Sequence, residues 1–292
     1  MRRGARGFTL IELVLVIVIT GVIGAALAVF LRPAFDSWFA LRLRADLGDQ
    51  AAAALRLMQR DVRQAVPNSL RTPNTACFEL VPTVAGGRFR READIDQDAA
   101  AGGGCPAAGA ACSKPLDVTG TVTEFDVLTT LAVTPAVGDW VVVDNQNPAD
   151  VHEGSNRSAI TAVSTPAAAL GRLRLQVTGH QFPPGYGGAR FMVVPQATPS
   201  VFYVCSGAGV SGGQGTGTLY RLTRGFVAAH PTACPSTAGA AVVATNVAAC
   251  RFVYDPHQGA TQQSGFVAMQ LQLLRDGESV HLQMGTHVLN VP

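Results

Sequence analysis

The stretch Gly7-Phe8-Thr9-Leu10-Ile11-Glu12-Leu13 decides the architecture of this chain, because it opens an apolar run that continues to Leu31. Residues 13–31 are 19 residues without a single charge. An α-helix rises about 1.5 Å per residue and needs roughly 20 apolar residues to cross a bilayer. The run therefore predicts a membrane-spanning helix.

Two features distinguish this run from an ordinary apolar segment. The leader before it, residues 1–6, carries three arginines and is followed by Gly7. Glu12 lies inside the apolar block, where a carboxylate costs about 2.5–3.5 kcal/mol on insertion scales. A buried acid of this kind needs a cation that neutralises it.

This combination resembles the leader of type IV prepilins and type II secretion pseudopilins. In that family a dedicated inner-membrane peptidase cuts after the Gly and then methylates the new N-terminal Phe. The resemblance implies cleavage between Gly7 and Phe8, and N-methylation of Phe8. It also implies that Glu12, the fifth residue of the mature chain, meets the N-terminal amine of a neighbouring subunit during assembly. The implied partners are other pilins or minor pilins through the N-terminal helix, the prepilin peptidase and the inner membrane.

Two other interpretations of the same segment stay open. An ordinary secretory signal peptide would use the leader arginines as its n-region and Ala26-Leu27-Ala28 as its cleavage site. A plain single-pass anchor would give Glu12 no role. The acid inside the apolar region and the length of that region favour the prepilin interpretation.

The charge balance bears on partners and topology. The chain has 292 residues, with 22 Lys+Arg and 20 Asp+Glu, and loss of the three leader arginines leaves 19 against 20. A net charge of −1 gives no electrostatic basis for binding nucleic acid. The basic leader predicts a cytoplasmic N-terminus and a single span with the globular part on the outer side. The resemblance implies that this membrane is the bacterial inner membrane, that the globular part is periplasmic, and that the subunit then enters a pilus or pseudopilus.

Six cysteines lie on the predicted outer side of the membrane: Cys77, Cys105, Cys112, Cys205, Cys234 and Cys250. An even number in an oxidising compartment predicts disulfides. A zinc site is disfavoured because no C-x-x-C or H-x-x-x-H pair occurs. We expect a local Cys105–Cys112 bridge and then Cys205–Cys234, which leaves Cys77–Cys250.

After the leader (residues 1–7), a single long helix is predicted in two halves. Residues 8–31 form the transmembrane half, and Pro33 should kink the helix because its ring removes a hydrogen bond. Residues 32–66 are amphipathic and are expected to dock mainly on the chain's own sheet. Their apolar side chains recur at spacings of three and four residues: Phe39, Leu43, Leu47, Ala51, Leu55, Met58 and Val62.

Residues 67–292 predict a periplasmic β-rich pilin domain, with a loop-rich insertion at residues 85–120. Its clearest element is a hairpin, in which Asp276-Gly277 turns between two alternating strands. The fold class is therefore α+β and pilin-like: a long N-terminal helix packed on an antiparallel β-sheet. Residues 67–83, 125–143 and 250–291 also resemble the minor pilins of MSHA-type pili, which implies a role in pilus initiation; the J-type minor pseudopilin of type II secretion shares this plan.

Three carboxylates, those of Asp94, Asp96 and Asp98, have the spacing of the first ligands of a calcium loop. Ala99 and Cys105 stand where that loop needs Gly and Glu, so we prefer a solvated acidic loop to a calcium site.

Residues 207–213 match two enzyme patterns, G-x-S-x-G and G-x-G-x-x-G, but both patterns require a following helix that this sequence does not predict. We therefore predict no catalytic residue and no cofactor. A membrane-anchored periplasmic enzyme or sugar-binding module is the competing hypothesis.

Overall fold

The computed structural model describes residues 9–101, 111–185, 188–256 and 264–289. Within them lie helix α1 (Leu10–Arg63), two short helices, α2 (Ile95–Ala100) and α3 (Asp150–Glu153), and fifteen strands. The strands are β1 (Arg71–Asn74), β2 (Cys77–Leu80), β3 (Ala85–Arg88), β4 (Val122–Val127), β5 (Trp140–Val143), β6 (Arg157–Ser164), β7 (Leu173–His180), β8 (Arg190–Val194), β9 (Ser200–Ser206), β10 (Val210–Ser211), β11 (Gln214–Gly215), β12 (Gly217–Arg224), β13 (Ala241–Asp255), β14 (Ser264–Arg275) and β15 (Glu278–Leu289).

The C-terminal half of α1 packs against a seven-stranded antiparallel sheet of order β1-β2-β9-β12-β13-β14-β15. The helix crosses β13, β14 and β15. Its buried apolar side chains follow the helical period: Leu47, Ala51, Ala54, Leu55, Met58 and Val62. They meet the inward face of the sheet, including Phe78, Tyr203 and Met269. The predicted α+β, pilin-like architecture is confirmed.

The hairpin β14–β15 has the predicted turn. Arg275 pairs with Glu278, and the two residues between them have positive φ, 52° at Asp276 and 80° at Gly277. This is the backbone that a two-residue type I′ turn requires, and Asp-Gly adopts it at little cost. The turn sets the register of both long strands, so alternate residues of β14 reach the core.

A second sheet, of order β3-β8-β5-β6-β7-β4, lies between β2 and β9 in the chain. Its two end strands are joined by a Phe89–Val127 bridge and by a 2.9 Å hydrogen bond from Arg90 N to Asp126 O. The six strands therefore close on themselves into a small barrel, which we call the barrel (residues 85–194). Its centre is filled by aromatic and branched side chains, among them Phe125, Phe182, Phe191, Val141, Ile160 and Leu175.

The barrel is inserted between two strands that are neighbours in the first sheet. Leu80 of β2 pairs with Val201 of β9, so the chain leaves and returns at adjacent points. The sequence analysis treated residues 67–292 as one β-rich unit and did not separate this barrel. The alternation of apolar and polar residues predicts which side chains of a strand are buried, but it does not predict which sheet the strand joins.

An apolar joint and a polar one connect the barrel to the first sheet. The apolar joint consists of Val66, Val81, Val142, Val151 and Val194. In the polar joint, the Asn145 side-chain amide donates to Pro67 O at 2.7 Å, and the Asn68 amide donates to Asn145 O at 2.8 Å. These two hydrogen bonds, the first buried and the second partly buried, orient the barrel relative to the end of α1.

The disulfides differ from two of the expected pairs. Cys77 is bonded to Cys234 and Cys205 to Cys250, so the predictions Cys205–Cys234 and Cys77–Cys250 are wrong. The physical reason is the alternation of side chains along strands. Cys77 and Cys234 pack on the outer face of the sheet, whereas Cys205 and Cys250 belong to the inward face that meets α1.

The third expected bridge, Cys105–Cys112, falls partly outside the described residues. Cys112 is disulfide-bonded, and Cys105 lies in the segment 102–110 that the structure does not describe.

Candidate membrane anchor and assembly helix

Helix α1 begins beside the predicted processing site. Thr9 is its N-cap, and the Thr9 hydroxyl accepts a 3.3 Å hydrogen bond from the backbone N–H of Glu12. The Glu12 carboxylate therefore sits in the first turn, at the positive end of the helix dipole, which stabilises an anion. Gly7 and Phe8, the predicted cleavage and methylation residues, lie outside the described residues.

The first half of α1 exposes an apolar surface on all sides. Within the described chain, α1 is the one helix long and apolar enough to cross a membrane, and none of its most apolar part is buried. Monomeric soluble proteins rarely leave a continuous apolar surface of this extent in water. Lipid or other helices have to cover it.

Pro33 lies inside α1, and the helix is continuous through it. The Ser37 hydroxyl donates to the Pro33 carbonyl at 2.8 Å, one turn further along. The helix thus joins the exposed half to the docked half without a break. The bend expected at Pro33 stays a prediction.

A buried carboxylate fastens the docked half to the sheet. Asp61, which is 5% exposed, accepts hydrogen bonds from the Tyr203 hydroxyl at 2.7 Å and from Arg221 Nε at 2.9 Å. Burial raises the pKa of the Tyr203 phenol, and the charge of Asp61 raises it further. The phenol is therefore a proton donor at every ordinary pH.

Three further contacts tie α1 to the last hairpin. Arg44 forms an ion pair with Glu278 beside the turn, and Arg275 lies 3.9 Å from the Asp46 carboxylate. Near the other end, Arg63 Nε donates to Thr286 Oγ1 at 3.0 Å. The docked half is thus held from Arg44 to Arg63, while everything before residue 43 projects beyond the globular part.

Comparison with protein families identifies the N-terminal segment. Residues 2–28 match the prokaryotic N-terminal methylation motif. The chain carries a type IV prepilin-like leader. This leader and the exposed apolar helix together fit a membrane-anchored, single-pass protein of the pilin and pseudopilin type. No curated protein and no solved structure matches the chain.

The acidic segment proposed as a calcium candidate is used for local structure. Asp94 caps α2, accepting from Gln97 N at 3.2 Å and from Arg90 Nη1 at 3.1 Å. Asp98 accepts from the backbone N–H and from the hydroxyl of Ser113, both at 2.8 Å, and these hydrogen bonds lower its pKa.

Asp94 and Asp98 are thus hydrogen-bonded to protein groups, and residues 95–100 form a capped helix where the calcium pattern has an open loop. Asp96 lies on the exposed surface of α2. Over the described ranges, no three His, Cys, Asp or Glu side chains are grouped so that they could hold a metal ion.

The glycine-rich stretch lacks the following helix that both enzyme patterns require. Ser211 belongs to β10, which pairs with β11 in a two-residue hairpin, and β12 follows directly. A nucleophile elbow or a phosphate loop needs a helix at this point. The stretch instead closes on the last hairpin, where Gly277 N donates to Gly213 O at 2.9 Å.

The sequence analysis missed two features that bring distant residues together. One is a cavity of about 210 Å³ at one end of the barrel, with side chains of both signs around it: Arg91, Arg190, Glu92, Asp117 and Asp144. The other is a buried cluster at the joint between the barrel and the sheet, in which Glu79 pairs with Arg71 at 2.7 Å and with Arg224 at 3.2 Å. The local sequence indicates neither the cavity nor the buried cluster, because each brings together residues that are about a hundred or more positions apart, such as Arg91 with Arg190 and Arg71 with Arg224.

Proposed function

We propose that this protein is a minor pilin of a type IV, MSHA-like pilus, similar to MshO, and that it takes part in pilus assembly or initiation. The observation that carries the proposal is the match of residues 2–28 to the N-terminal methylation motif, together with an exposed apolar segment, residues 10–31, whose one charged side chain is Glu12. No reaction is catalysed in this mechanism. A minor pseudopilin of type II secretion is the alternative assignment, because it has the same leader and N-terminal helix.

The mechanism follows from where charge and apolar surface lie. Prepilin peptidase removes residues 1–7, and the mature subunit waits in the inner membrane with α1 as its single span. During assembly the exposed half of α1 leaves lipid and packs against helices of other subunits. Glu12 is stable in that apolar bundle only if a cation lies beside it, and the N-terminal amine of a neighbouring subunit supplies one.

The decisive experiment replaces Glu12 with Gln in the native host. We expect processed Glu12→Gln subunits to remain in the membrane with their globular part folded, while incorporation into fibres and fibre yield fall. Thr20→Val is the matched control, because Thr20 is the other polar side chain within residues 10–31 and its replacement touches no charge. Fibres at full yield with Glu12→Gln contradict the assembly role.

A mass measurement of the mature N-terminus tests the processing step separately. We expect a chain that starts at Phe8 and carries one added methyl group. A chain that starts at Val29, after Ala28, would instead show the ordinary secretory route and remove the anchor altogether.

The barrel supplies the one observation that favours a second candidate, a membrane-anchored binding module. Ligand pockets occur in the mouths of β-barrels, and the cavity at the end of this barrel presents charged groups of both signs. Arg190→Ala at the cavity, compared with Glu12→Gln, separates the two functions. The minor-pilin proposal expects fibres to depend on Glu12 and not on Arg190.

A further inference from the structure

An aromatic stripe continues along α1 beyond the uncharged run. Trp38 and Phe39 follow Phe35 by three and four residues and precede Arg42 by four and three, so the four side chains lie on one side of the helix. Trp38 is 52% exposed and Phe39 is 59% exposed. Their ring centroids are 5.1 Å apart in an edge-to-face arrangement, and the Arg42 guanidinium lies 5.6 Å from the Trp38 ring.

The position of this stripe along the helix places it at a fixed depth. Residues 10–31 span about 33 Å, which is close to the roughly 30 Å hydrocarbon thickness of a bilayer. Arg32 is the first charged residue after Glu12 and so marks the edge of the hydrocarbon. Trp38 lies six residues further along, about 9 Å of helix rise.

The direction of helical side chains brings the indole closer to the membrane than its backbone. Long side chains on a helix lean toward the N-terminus, so the Trp38 ring covers the turn before its own Cα. The ring therefore reaches back from Trp38 toward Arg32, into a headgroup layer that is about 5–7 Å deep on each side. No part of the described globular structure covers the stripe, since the first fully buried residue of α1 is Leu47.

The chemistry of the stripe matches that layer. Indole rings concentrate at membrane interfaces because they have an apolar body and an N–H that bonds to water, glycerol or phosphate. Arg32 and Arg42 flank the rings and can pair with phospholipid phosphates, while their stems lie along apolar surface. If only water surrounded the stripe, two large aromatic side chains would be exposed side by side on the helix, which soluble proteins rarely tolerate.

We propose that Trp38 and Phe39 occupy the phospholipid headgroup layer on the side of the globular part, and that they set the depth of the anchor before assembly. The proposal rests on the membrane-anchored state of the proposed function. It adds that the globular part lies close to the lipid surface, because Arg44, only six residues after Trp38, is already paired with Glu278 at the hairpin turn. The partner is the phospholipid interface.

The test measures the depth of Trp38 by fluorescence quenching. The chain has two tryptophans, so Trp140→Phe leaves Trp38 as the single emitter. The full chain is reconstituted in phosphatidylethanolamine–phosphatidylglycerol vesicles whose lipids carry bromine either near the glycerol end or near the methyl end of the acyl chain. We expect blue-shifted emission and a greater loss of intensity with bromine near the glycerol end.

Three results would overturn the proposal. Equal or greater quenching by bromine near the methyl end would place the ring inside the hydrocarbon. Full quenching by iodide without quenching by brominated lipid would place it in water. Protection from both quenchers would show that a second copy of the helix covers the stripe.

The matched control is Trp38→Phe, which leaves Trp140 as the emitter. Trp140 packs against Phe226 at 5.7 Å and under the Arg157 guanidinium at 4.5 Å, so neither brominated lipid should quench it. If Trp140→Phe fails to fold, the difference between the wild type and Trp38→Phe gives the same Trp38 signal. The quenching measurement needs no fibres. Its result is therefore independent of whether Glu12→Gln subunits assemble, and the two proposals can fail separately.

Discussion

The Tyr203 hydroxyl donates a 2.7 Å hydrogen bond to the carboxylate of Asp61, and so joins strand β9 to the inward face of α1. Arg221 of β12 donates to the same carboxylate at 2.9 Å. One acid therefore connects the helix with two neighbouring strands at the centre of the sheet. This connection matters for an anchored protein because any force on the projecting half of α1 reaches the sheet through the docked half.

Tyr203→Phe should lower the free energy of unfolding by about 1–2 kcal/mol, because it leaves the buried Asp61 carboxylate with one donor fewer. Asp61→Ala should lower the free energy of unfolding further, by about 2–4 kcal/mol, because it leaves both the Tyr203 phenol and the Arg221 guanidinium without their acceptor. Chemical denaturation of the full chain in detergent micelles measures both values.

Arg60→Ala is the control for this pair. Arg60 also lies 3.3 Å from the Asp61 carboxylate, but its side chain is 64% exposed. Exposed ion pairs contribute less than about 1 kcal/mol. If Arg60→Ala destabilised the protein as much as Tyr203→Phe, burial would not be the source of the effect.

The buried charge cluster at the joint predicts a larger effect. Glu79 is fully buried and accepts from Arg71 and Arg224, and it also bonds to the Ser200 hydroxyl. Glu79→Gln should cost about 3–5 kcal/mol, because it leaves the buried Arg71 without a counter-charge. The measurement is the denaturation midpoint of the full chain.

Glu278→Gln provides the matched comparison for Glu79→Gln. It removes a glutamate from another Glu–Arg pair, in which the Arg44 side chain is 58% exposed. We expect a loss below about 1 kcal/mol. Equal losses at the two sites would mean that the Arg71–Glu79 pair does not depend on its burial.

The His152 imidazole should make stability depend on pH. Arg71 Nη2 lies 3.0 Å from Nδ1, and Nε2 lies 3.2 Å from Ser69 O, which is the pattern of a neutral ring that accepts from the arginine and donates to the carbonyl. Burial lowers the pKa of His152 to about 4; the charge of Glu79 opposes this shift, and that of Arg71 adds to it.

Because the pKa of His152 is lower in the folded than in the unfolded chain, the unfolded chain binds more protons between pH 6.5 and about 4. Stability should therefore fall as the pH falls through this window, by about 2 kcal/mol between pH 7.5 and 5. His152→Gln keeps an acceptor and a donor and should flatten this slope. An unchanged slope in His152→Gln would assign the pH dependence to other groups.

The disulfide pairing can be read from peptides. Trypsin leaves Cys234 and Cys250 in one peptide, since no Lys or Arg lies between Arg224 and Arg251. A protease that cuts after small aliphatic residues separates them. We expect cross-linked peptides for Cys77 with Cys234 and for Cys205 with Cys250, whereas a peptide joining Cys205 to Cys234 would contradict the observed arrangement of faces.

Local patterns predicted the parts of this protein that depend on neighbours in the chain. Residues 10–31 are predicted as helix from the length of their apolar run, and residues 39–62 from apolar side chains at the helical period. Asp276-Gly277 turns because its backbone favours positive φ. Two predicted cysteine pairs were wrong because pairing depends on the face of the sheet on which each cysteine side chain lies. Spacing along the chain carries no information about that face.

By itself, the sequence determined that a short basic leader precedes an apolar helical segment whose one charged residue is Glu12, and that an amphipathic half follows for docking on a sheet. These are properties of consecutive residues, so they can be predicted from the length of the apolar run and from the helical period of apolar side chains. Only the tertiary structure decided that residues 85–194 close into a separate barrel, and that Asp61 meets Tyr203 and Glu79 meets Arg71. Those contacts depend on strand order and register, which arise when the whole chain buries its apolar surface together.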